Sequence, residues 1–360
     1  ALGATTTGGK NTAVGYLSLA TNSTGSDNTA VGVGSLYNNT TGAKNIAIGK
    51  SAAAANTTGT RNITIGFEAY AASDTENDNL AIGYQAMTTN TAGGTLNVAV
   101  GNYSLDALTS GDSNVGVGHN SLGANNSGNR NTAVGDDALR AHTTGNNNVA
   151  VGYQALLVDT TGAQNVAIGK GALEANTTAA DNTAVGADAL TANTTGAGNV
   201  AVGKSALAAH TTAEGNTAIG KAALATITTV VRNTAVGFEA LTAQTTGYNN
   251  TAIGYVAGKA MTEGYQNTLV GDRAGTAITT GDNNTAVGQN ALKTATTANE
   301  NTAIGWDALT LNTSGSGNTA VGSGVMAANT TGAENTAMGT DALDANTEGD
   351  ENTAIGYDAM

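Results

Sequence analysis

A pentapeptide, Asn-Thr-Ala-Val-Gly at residues 11–15, returns with little change along the whole chain as far as Asn352. Its twenty-one copies are 17 residues apart, except that the interval from Asn79 to Asn97 is 18. Asn opens every copy, Gly closes every copy, and the residue before that Gly is Val or Ile everywhere except at Met338. A fixed short period over the full length predicts a solenoid, in which each repeat is one rung stacked on the next.

If the Asn is place 1, the consensus repeat is N-T-A-V-G-Y-x-A-L-x-x-N-T-T-G-x-x. Places 1–5 predict a short strand, ended by the Gly, in which places 2 and 4 share one face. Place 4 is aliphatic and place 2 is Thr or aliphatic, so we expect this face to point into the rung. The Ala at place 3 would face outward, where its small size allows close approach of another strand or chain. The structural residues of three central copies are then Asn131, Val134, Gly135, Asn182, Val185, Gly186, Asn233, Val236 and Gly237.

Places 6–9 continue with an often aromatic residue and end with Ala or Ser and then, usually, Leu. We predict a second short strand here. Stretches such as residues 188–192, Asp-Ala-Leu-Thr-Ala, also fit one helical turn, as in leucine-rich repeats. Helices pack about 8–10 Å apart and stacked strands about 4.8 Å apart, so the two-strand rung suits a continuous stack better. The Asn-Thr-Thr-Gly of places 12–15 has the chemistry of a turn and forms the return loop.

The Asn at place 1 has two interpretations. Stacked from rung to rung, its amide can donate to and accept from the Asn of the neighbouring rungs, which gives an Asn ladder like those of cross-β stacks. It can instead be a turn residue whose side chain caps the adjoining loop. A column of Asn in every copy favours the ladder.

The composition restricts the function classes. There are 50 Gly, no Pro and no Cys among 360 residues, which suits a sheet of internal strands and excludes disulfides and thiolate metal sites. The formal net charge is −14 with only 11% charged residues, so a nucleic-acid partner is not expected. No apolar run approaches the roughly 18 residues of a membrane span. Both ends fall inside a repeat, so we expect residues 1–360 to be one continuous array excerpted from a longer fibre.

The repeat offers little material for a core. Each rung has chiefly one Val or Ile and one Leu to bury, while 17 residues must be ordered. Parallel chains around a shared axis would bury more apolar surface, so we expect an oligomer, most simply a homotrimer. With strands stacked about 4.8 Å apart, the array predicts a rod about 100 Å long.

The strand motif followed by x-x-A-L, as around Ile219-Gly220, resembles the Ser-Val-Ala-Ile-Gly motif of YadA-like heads in trimeric autotransporter adhesins. It also looks like the Asn-Thr-Ala-Val-Gly arrays of phage tail-fibre and surface-fibre proteins. The resemblance covers the whole chain, although the adhesin repeat is usually shorter. It implies a trimer of left-handed parallel β-rolls outside the cell, on a bacterial surface or a virion tail fibre. It further implies a structural or adhesive shaft that associates with itself, end to end or laterally, and with a host surface protein or glycan.

We expect no enzyme, cofactor or metal site. His142 and His210 share place 12 but lie four rungs apart, about 19 Å by strand spacing, which is too far for one metal ion. Cleavage of a polysaccharide would need paired carboxylates in a cleft, which a regular rod does not offer. A carbohydrate-binding β-solenoid is an alternative. An ice-binding one is another because of the many Thr, although the adjacent Thr of places 13 and 14 would point to opposite sides.

One return loop loses its turn residues. Residues 225–232 read Ala-Thr-Ile-Thr-Thr-Val-Val-Arg, with Val230 in the position of the usual Gly. Two interpretations are open. The loop can run extended and pack onto its own rung, or Ile227, Val230 and Val231 can form an apolar contact with a neighbouring chain or a partner fibre.

Overall fold

The computed structural model describes residues 2–91 and 93–360. The chain is an all-β parallel solenoid in which each of the twenty-one repeats supplies one three-residue strand at places 2–4, and no helix occurs in the described ranges. The predicted solenoid with a 17-residue period is therefore confirmed. Contacts group the chain into two compact units, residues 1–181 and 182–360. Each rung is numbered by its strand, so rung 8 runs from Asn131 to Asn147.

The first unit contains ten rungs, whose strands pair in parallel and in register, each with the strand of the next rung. Ala133, for example, lies opposite Ala150. This register places the same repeat position of every rung in one column. The strands are β1 (Thr12–Val14), β2 (Thr29–Val31), β3 (Ile46–Ile48), β4 (Ile63–Ile65), β5 (Leu80–Ile82), β6 (Val98–Val100), β7 (Val115–Val117), β8 (Thr132–Val134), β9 (Val149–Val151) and β10 (Val166–Ile168).

The second unit contains eleven rungs with the same parallel, in-register pairing. Ala184 lies opposite Ala201 in its first pair of strands. The strands are β11 (Thr183–Val185), β12 (Val200–Val202), β13 (Thr217–Ile219), β14 (Thr234–Val236), β15 (Thr251–Ile253), β16 (Thr268–Val270), β17 (Thr285–Val287), β18 (Thr302–Ile304), β19 (Thr319–Val321), β20 (Thr336–Met338) and β21 (Thr353–Ile355).

Between the strand and the return loop the chain forms consecutive tight turns, with neither a second strand nor a helical turn. Places 7, 9 and 17 adopt a left-handed φ, as Asp188 (57°) and Leu190 (50°) do, although most of these residues are not glycine. That conformation costs an L-residue about 1–2 kcal/mol. Stacking offsets this cost, because the N–H of Leu190 donates to the carbonyl of Ala206 in the next rung at 3.0 Å. The predicted two-strand rung is therefore wrong, and so is the helical alternative.

The interior of a rung is formed by Ala at place 3, Ala or Ser at place 8 and Leu at place 9. In rung 11 these residues are Ala184, Ala189 and Leu190, and all three have no exposed surface. Place 3 lies directly against place 8: the Oγ of Ser104 donates to the carbonyl of Gly116 at 3.0 Å. The interior between these places is too narrow for a side chain larger than Ala in most rungs.

The strand faces are therefore the reverse of the sequence prediction. Val134, Val185 and Val236 were expected in the core, but place 4 lies on the outer face of the sheet. Val134 is 37% exposed, and the other two are half-buried. The physical reason is that the interior between places 3 and 8 is narrow. Ala fits there, whereas the bulkier aliphatic residues of places 2 and 4 are directed outward.

The Gly at place 5 ends each strand by a turn, as predicted. Gly186 has a φ of 134°, and a Cβ added to it would lie 2.7 Å from the carbonyl carbon and oxygen of Gly203 in the next rung. Gly135 and Gly237 both have a φ of 140°, and a Cβ added to either would collide with the carbonyl group of the equivalent glycine in the next rung. Both the backbone conformation and the distance between rungs exclude a side chain here.

The Asn column at place 1 forms the predicted ladder. In the first unit the Oδ1 of Asn131 accepts from the backbone N–H of Asn148 at 2.9 Å and from its Nδ2 at 3.2 Å. The Nδ2 of Asn131 also donates to the carbonyl of Gly145 at 2.9 Å, which ties the strand to the return loop of the same rung. In the second unit Asn182 and Asn233 make the equivalent bonds. The ladder and the loop cap, posed as alternatives, are both present.

Candidate interaction surfaces

The outer sheet ribbon of each unit consists of an apolar column at place 4 and a neighbouring column at place 2, which is mostly aliphatic in the first unit and mostly Thr in the second. Places 2 and 4 face outward, and their side chains form two parallel columns because the strands are in register. In the first unit Ile46, Ile48 and Ile63 are 37–39% exposed, and in the second unit Ile219 and Ile253 are 39% and 40% exposed. Large exposed apolar surfaces of this kind mark interaction sites more often than scattered single residues do.

A second exposed column runs along places 6 and 7, at the turn after the strand. In the first unit the rings of Phe67 and Tyr84 stack with centroids 5.3 Å apart, and Tyr103 meets Tyr84 edge-on at 5.4 Å. Lys50 places its Nζ 5.3 Å from the centre of the Phe67 ring, a cation–π contact. His119 continues the column beyond Tyr103 at 6.0 Å.

The second unit repeats this arrangement. Lys221 lies 5.2 Å from the centre of the Phe238 ring, Phe238 stacks on Tyr255 at 5.5 Å, and the guanidinium of Arg273 lies 5.8 Å from the centre of the Tyr255 ring. Stacked rings and cations cover one another's faces. These columns therefore stabilise successive rungs and leave mainly ring edges for a ligand.

His119, Asp136 and Asp137 are a candidate metal group, which the sequence analysis did not identify. One ligand atom from each of them lies within 4.8 Å of the others, and His119 and Asp136 are exposed. The Nδ1 of His119 is 3.1 Å from the Oδ1 of Asp136, and Arg140 lies 3.5 Å from Asp137. His119 and Asp136 thus pair across neighbouring rungs, and Asp137 pairs with Arg140 within rung 8, so the group is explained as a network of surface contacts.

The interior column at place 12 contains buried ionisable residues. In the first unit the Nδ1 of His142 lies 2.8 Å from the Oδ2 of Asp159, and neither side chain is exposed. The Nε2 of His142 lies 2.8 Å from the carbonyl oxygen of Gly145. The other carboxylate oxygen of Asp159 accepts from the Nδ2 of Asn176 at 2.7 Å. The pair therefore replaces two members of an Asn column with partners that satisfy each other.

His210, in the second unit, has neutral partners. Its Nδ1 lies 3.2 Å from the Oδ1 of Asn193, and its Nε2 faces the Nδ2 of Asn216 at 3.3 Å. This arrangement fits the neutral ring with the proton on Nδ1. Burial lowers the pKa of His210 to about 4 because the charged form loses its hydration. His142 and His210 thus occupy the same repeat position as interior structural residues.

The unusual loop at residues 225–232 packs onto its own rung. Ile227 is fully buried and Val230 is 8% exposed, while Val231 is half-buried. Places 12 and 15 point into the solenoid, so Ile227 and Val230 replace the inward Asn and Gly of other rungs. Of the two interpretations, packing onto the same rung fits these two residues, because their side chains are buried there. Val231 lines a shallow depression with Thr246 and Tyr248.

A polar groove of about 510 Å³ follows the return loops of rungs 5–8. The backbone N–H of Thr95 donates to Asp112, that of Asp112 to Asn129, and that of Asn129 to Asn146, each at 2.8 Å. This side-chain ladder at place 16 satisfies the polar groups that face the groove. The groove is therefore part of the structural repeat.

No family model and no curated protein matches this chain. The resemblance to trimeric autotransporter heads and to phage fibre arrays accordingly stays a prediction from the residues. In the described ranges, no helix is long and apolar enough to cross a membrane.

Proposed function

We propose that this chain is a structural or adhesive shaft of an extracellular fibre, built from parallel copies of itself and without catalytic activity. The observation that supports it best is the outer sheet ribbon, whose place 4 column is apolar in every rung of each unit. The ribbon repeats with every rung, so a partner with the same repeat spacing can contact it along its whole length. The interiors are filled by side chains and their own hydrogen-bond ladders, which suits a scaffold.

A second copy of the same chain is the partner that fits this ribbon. Its own outer face presents the same two columns at the same rung spacing, so apolar side chains can pack rung against rung. Each Å² of apolar surface removed from water contributes about 25 cal/mol. A homotrimer around the ribbon, as the adhesin resemblance implies, lets all three copies bury it at once, and the aromatic columns then stay outside.

Sedimentation equilibrium of the full chain tests the assembly. We expect a trimer at low micromolar concentration. The variant Ile46→Lys with Ile48→Lys puts two charges on the outer face of rung 3 and should weaken the trimer strongly. The control is Thr41→Lys with Thr58→Lys, which adds the same charges at exposed return-loop positions. A folded monomer for the unmodified chain would overturn the proposed assembly.

The extracellular location, on a bacterial surface or a virion tail fibre, is part of the proposal. Antibody labelling of intact source cells or virions tests it directly. Attachment to a host surface protein or glycan is a separate expectation. It is tested by measuring how the trimer binds host cells before and after their glycans are removed. If the trimer binds neither the untreated nor the treated cells, its role is that of a shaft alone.

An ice-binding solenoid is the second candidate, and one observation favours it. Because the strand faces are reversed, the Thr of place 2 points outward, and strands β13 to β21 all begin with Thr. This gives nine consecutive hydroxyl-bearing side chains beside an aliphatic column. Thermal hysteresis measured on a monomeric form of the chain tests the candidate, whereas a stable trimer would cover this face.

A further inference from the structure

A groove of about 400 Å³ crosses rungs 18–20 in the second unit. Its walls in rung 18 include Trp306 and Leu311, which are 55% and 49% exposed. Its floor is rung 19, where Gly324, Ala327 and Ala328 occupy places 7, 10 and 11. The groove exists because these three residues carry no side-chain atoms beyond Cβ, while the rung before them carries a tryptophan and a leucine.

Three carboxylates line this groove: Asp307, Asp341 and Asp344. Asp307 accepts from the Nδ2 of Asn290 at 2.8 Å. The carboxylate of Asp341 leans across Gly324, where it takes the space that a Cβ would occupy. In the part of the chain that the structure describes, no Lys, Arg or His forms an ion pair with any of the three. The groove thus combines uncompensated negative charge with an exposed indole.

The carboxylates are too widely spaced to share one metal ion. Within the described residues, only His119, Asp136 and Asp137 bring three ligand atoms together closely enough for that. A larger cation suits the groove better. An arginine guanidinium is planar, stacks on aromatic faces and forms paired hydrogen bonds with carboxylates. Tryptophan is the best aromatic partner for such a cation.

We propose that this groove binds the side chain of an arginine presented by a partner peptide or protein. The guanidinium stacks on Trp306 and pairs with Asp341 and Asp344, and its methylene groups lie on Leu311 and the alanine floor. Lysine binds less well because an ammonium group does not stack in this way. The groove is lined by places 6, 7, 10 and 11, none of which belongs to the outer sheet ribbon, so the proposal does not rest on the proposed trimer.

The chain carries its own probe, because Trp306 is its only tryptophan. Titration of the full chain with N-acetyl-arginine methylamide should change the tryptophan emission in a saturable way. The neutral isostere N-acetyl-citrulline methylamide should bind roughly tenfold more weakly or not at all, and added salt should weaken arginine binding. Equal binding of both compounds, binding of a neutral saccharide in preference to them, or no saturable change with any compound would overturn the proposal.

The double variant Asp341→Asn with Asp344→Asn tests the carboxylates. It should lose about tenfold in affinity for the arginine compound while keeping the melting temperature of the unmodified chain. The control Glu334→Gln with Glu348→Gln removes the same charge from exposed return-loop positions of rungs 19 and 20 and should bind normally. An equal loss in both variants would mean that net charge, and not this groove, attracts the cation. Trp306→Ala, followed by calorimetry, should abolish binding.

Discussion

His142 and Asp159 form an ion pair inside the first unit, with the Nδ1 of the histidine 2.8 Å from the Oδ2 of the aspartate and neither side chain exposed. Both ring nitrogens of His142 face acceptors, since Nε2 lies 2.8 Å from the carbonyl oxygen of Gly145. Each ring nitrogen of His142 thus has a buried oxygen partner. Two adjacent rungs hold this pair of ionisable side chains where other rungs hold two asparagines.

The first prediction is that His142 and Asp159 are strongly coupled. His142→Asn leaves the buried Asp159 without its histidine partner, and Asp159→Asn leaves the buried His142 without its carboxyl partner, so each should cost about 3–5 kcal/mol. The double variant restores the Asn column and should cost less than either single variant. A double-mutant cycle by urea unfolding measures the coupling. The same cycle on the exposed pair Arg61 and Asp78 is the control and should give a much smaller coupling, because water screens exposed charges. Additive costs at His142 and Asp159 would contradict the prediction.

The second prediction concerns the pH dependence that His210 introduces. Its pKa is lowered from 6.5 to about 4, so the unfolded chain binds a proton between these values while the folded chain does not. The contribution of His210 to the free energy of unfolding should therefore be fully present above about pH 6.5. It should fall by about 3 kcal/mol as the pH is lowered toward 4. His210→Asn restores the repeat consensus and should remove this part of the dependence. Identical stability profiles for the two proteins between pH 7 and pH 4 would rule it out.

The sequence predicted the architecture well because the architecture depends on repetition. A constant period forces parallel, in-register stacking, and an Asn that returns in every copy can only form a column. The reversed strand faces could not be read from the motif. In Thr-Ala-Val the usual expectation is that Val is buried. Here the narrow interior of the rung accommodates only the Ala, as at Ala184 and Ala189, which are both fully buried. That width is a property of the closed rung and not of the strand.

The turn conformations left a weak signal in the sequence. Places 7 and 9 have a left-handed φ, and a few rungs show this with Gly171 at place 7 and with Gly258 and Gly275 at place 9. Most rungs instead have a residue such as Leu190, which local preferences would not place there. Stacking between rungs fixes the conformation, so only comparison of all copies at the same place reveals it. The groove at Trp306 depends on small residues in the next rung and needed the structure.

The third prediction tests the turn at place 5. Gly186→Val should destabilise the second unit strongly, because its φ of 134° is rare for an L-residue and its Cβ would press on the carbonyl group of Gly203 at 2.7 Å. Gly198→Asn is the control, since Gly198 has a φ of 66° with nothing within 4 Å of an added Cβ, and Asn tolerates that conformation. The melting temperature should fall clearly for the first variant and stay nearly unchanged for the second. Equal melting temperatures would show that place 5 tolerates side chains.

The fourth prediction concerns a site inside the second unit where a large residue at place 3 lies beside small residues at place 9. Place 3 of rung 16 is Leu269 where nearly every other rung has Ala, and place 9 is Gly258 in rung 15 and Gly275 in rung 16 where most rungs have Leu. A Cβ added to Gly258 would lie 2.9 Å from Leu269, and one added to Gly275 would lie 2.8 Å from it. Leu269 therefore fills part of the space that the two missing leucines leave, together with Leu241 beside Gly258 and Ile278 beside Gly275.

Leu269→Ala should cost about 2–5 kcal/mol because it leaves a cavity between two glycine-containing rungs. Gly275→Leu alone should also destabilise, since its side chain would collide with Leu269. Combined, the two substitutions restore the consensus residues at places 3 and 9 of the rung, and place 9 accepts leucine at the left-handed φ that Leu292 shows in the next rung. We expect the double variant to be more stable than either single variant in thermal unfolding. If the two costs simply add, Leu269 and Gly275 do not share one space, and the size exchange is not what holds these rungs together.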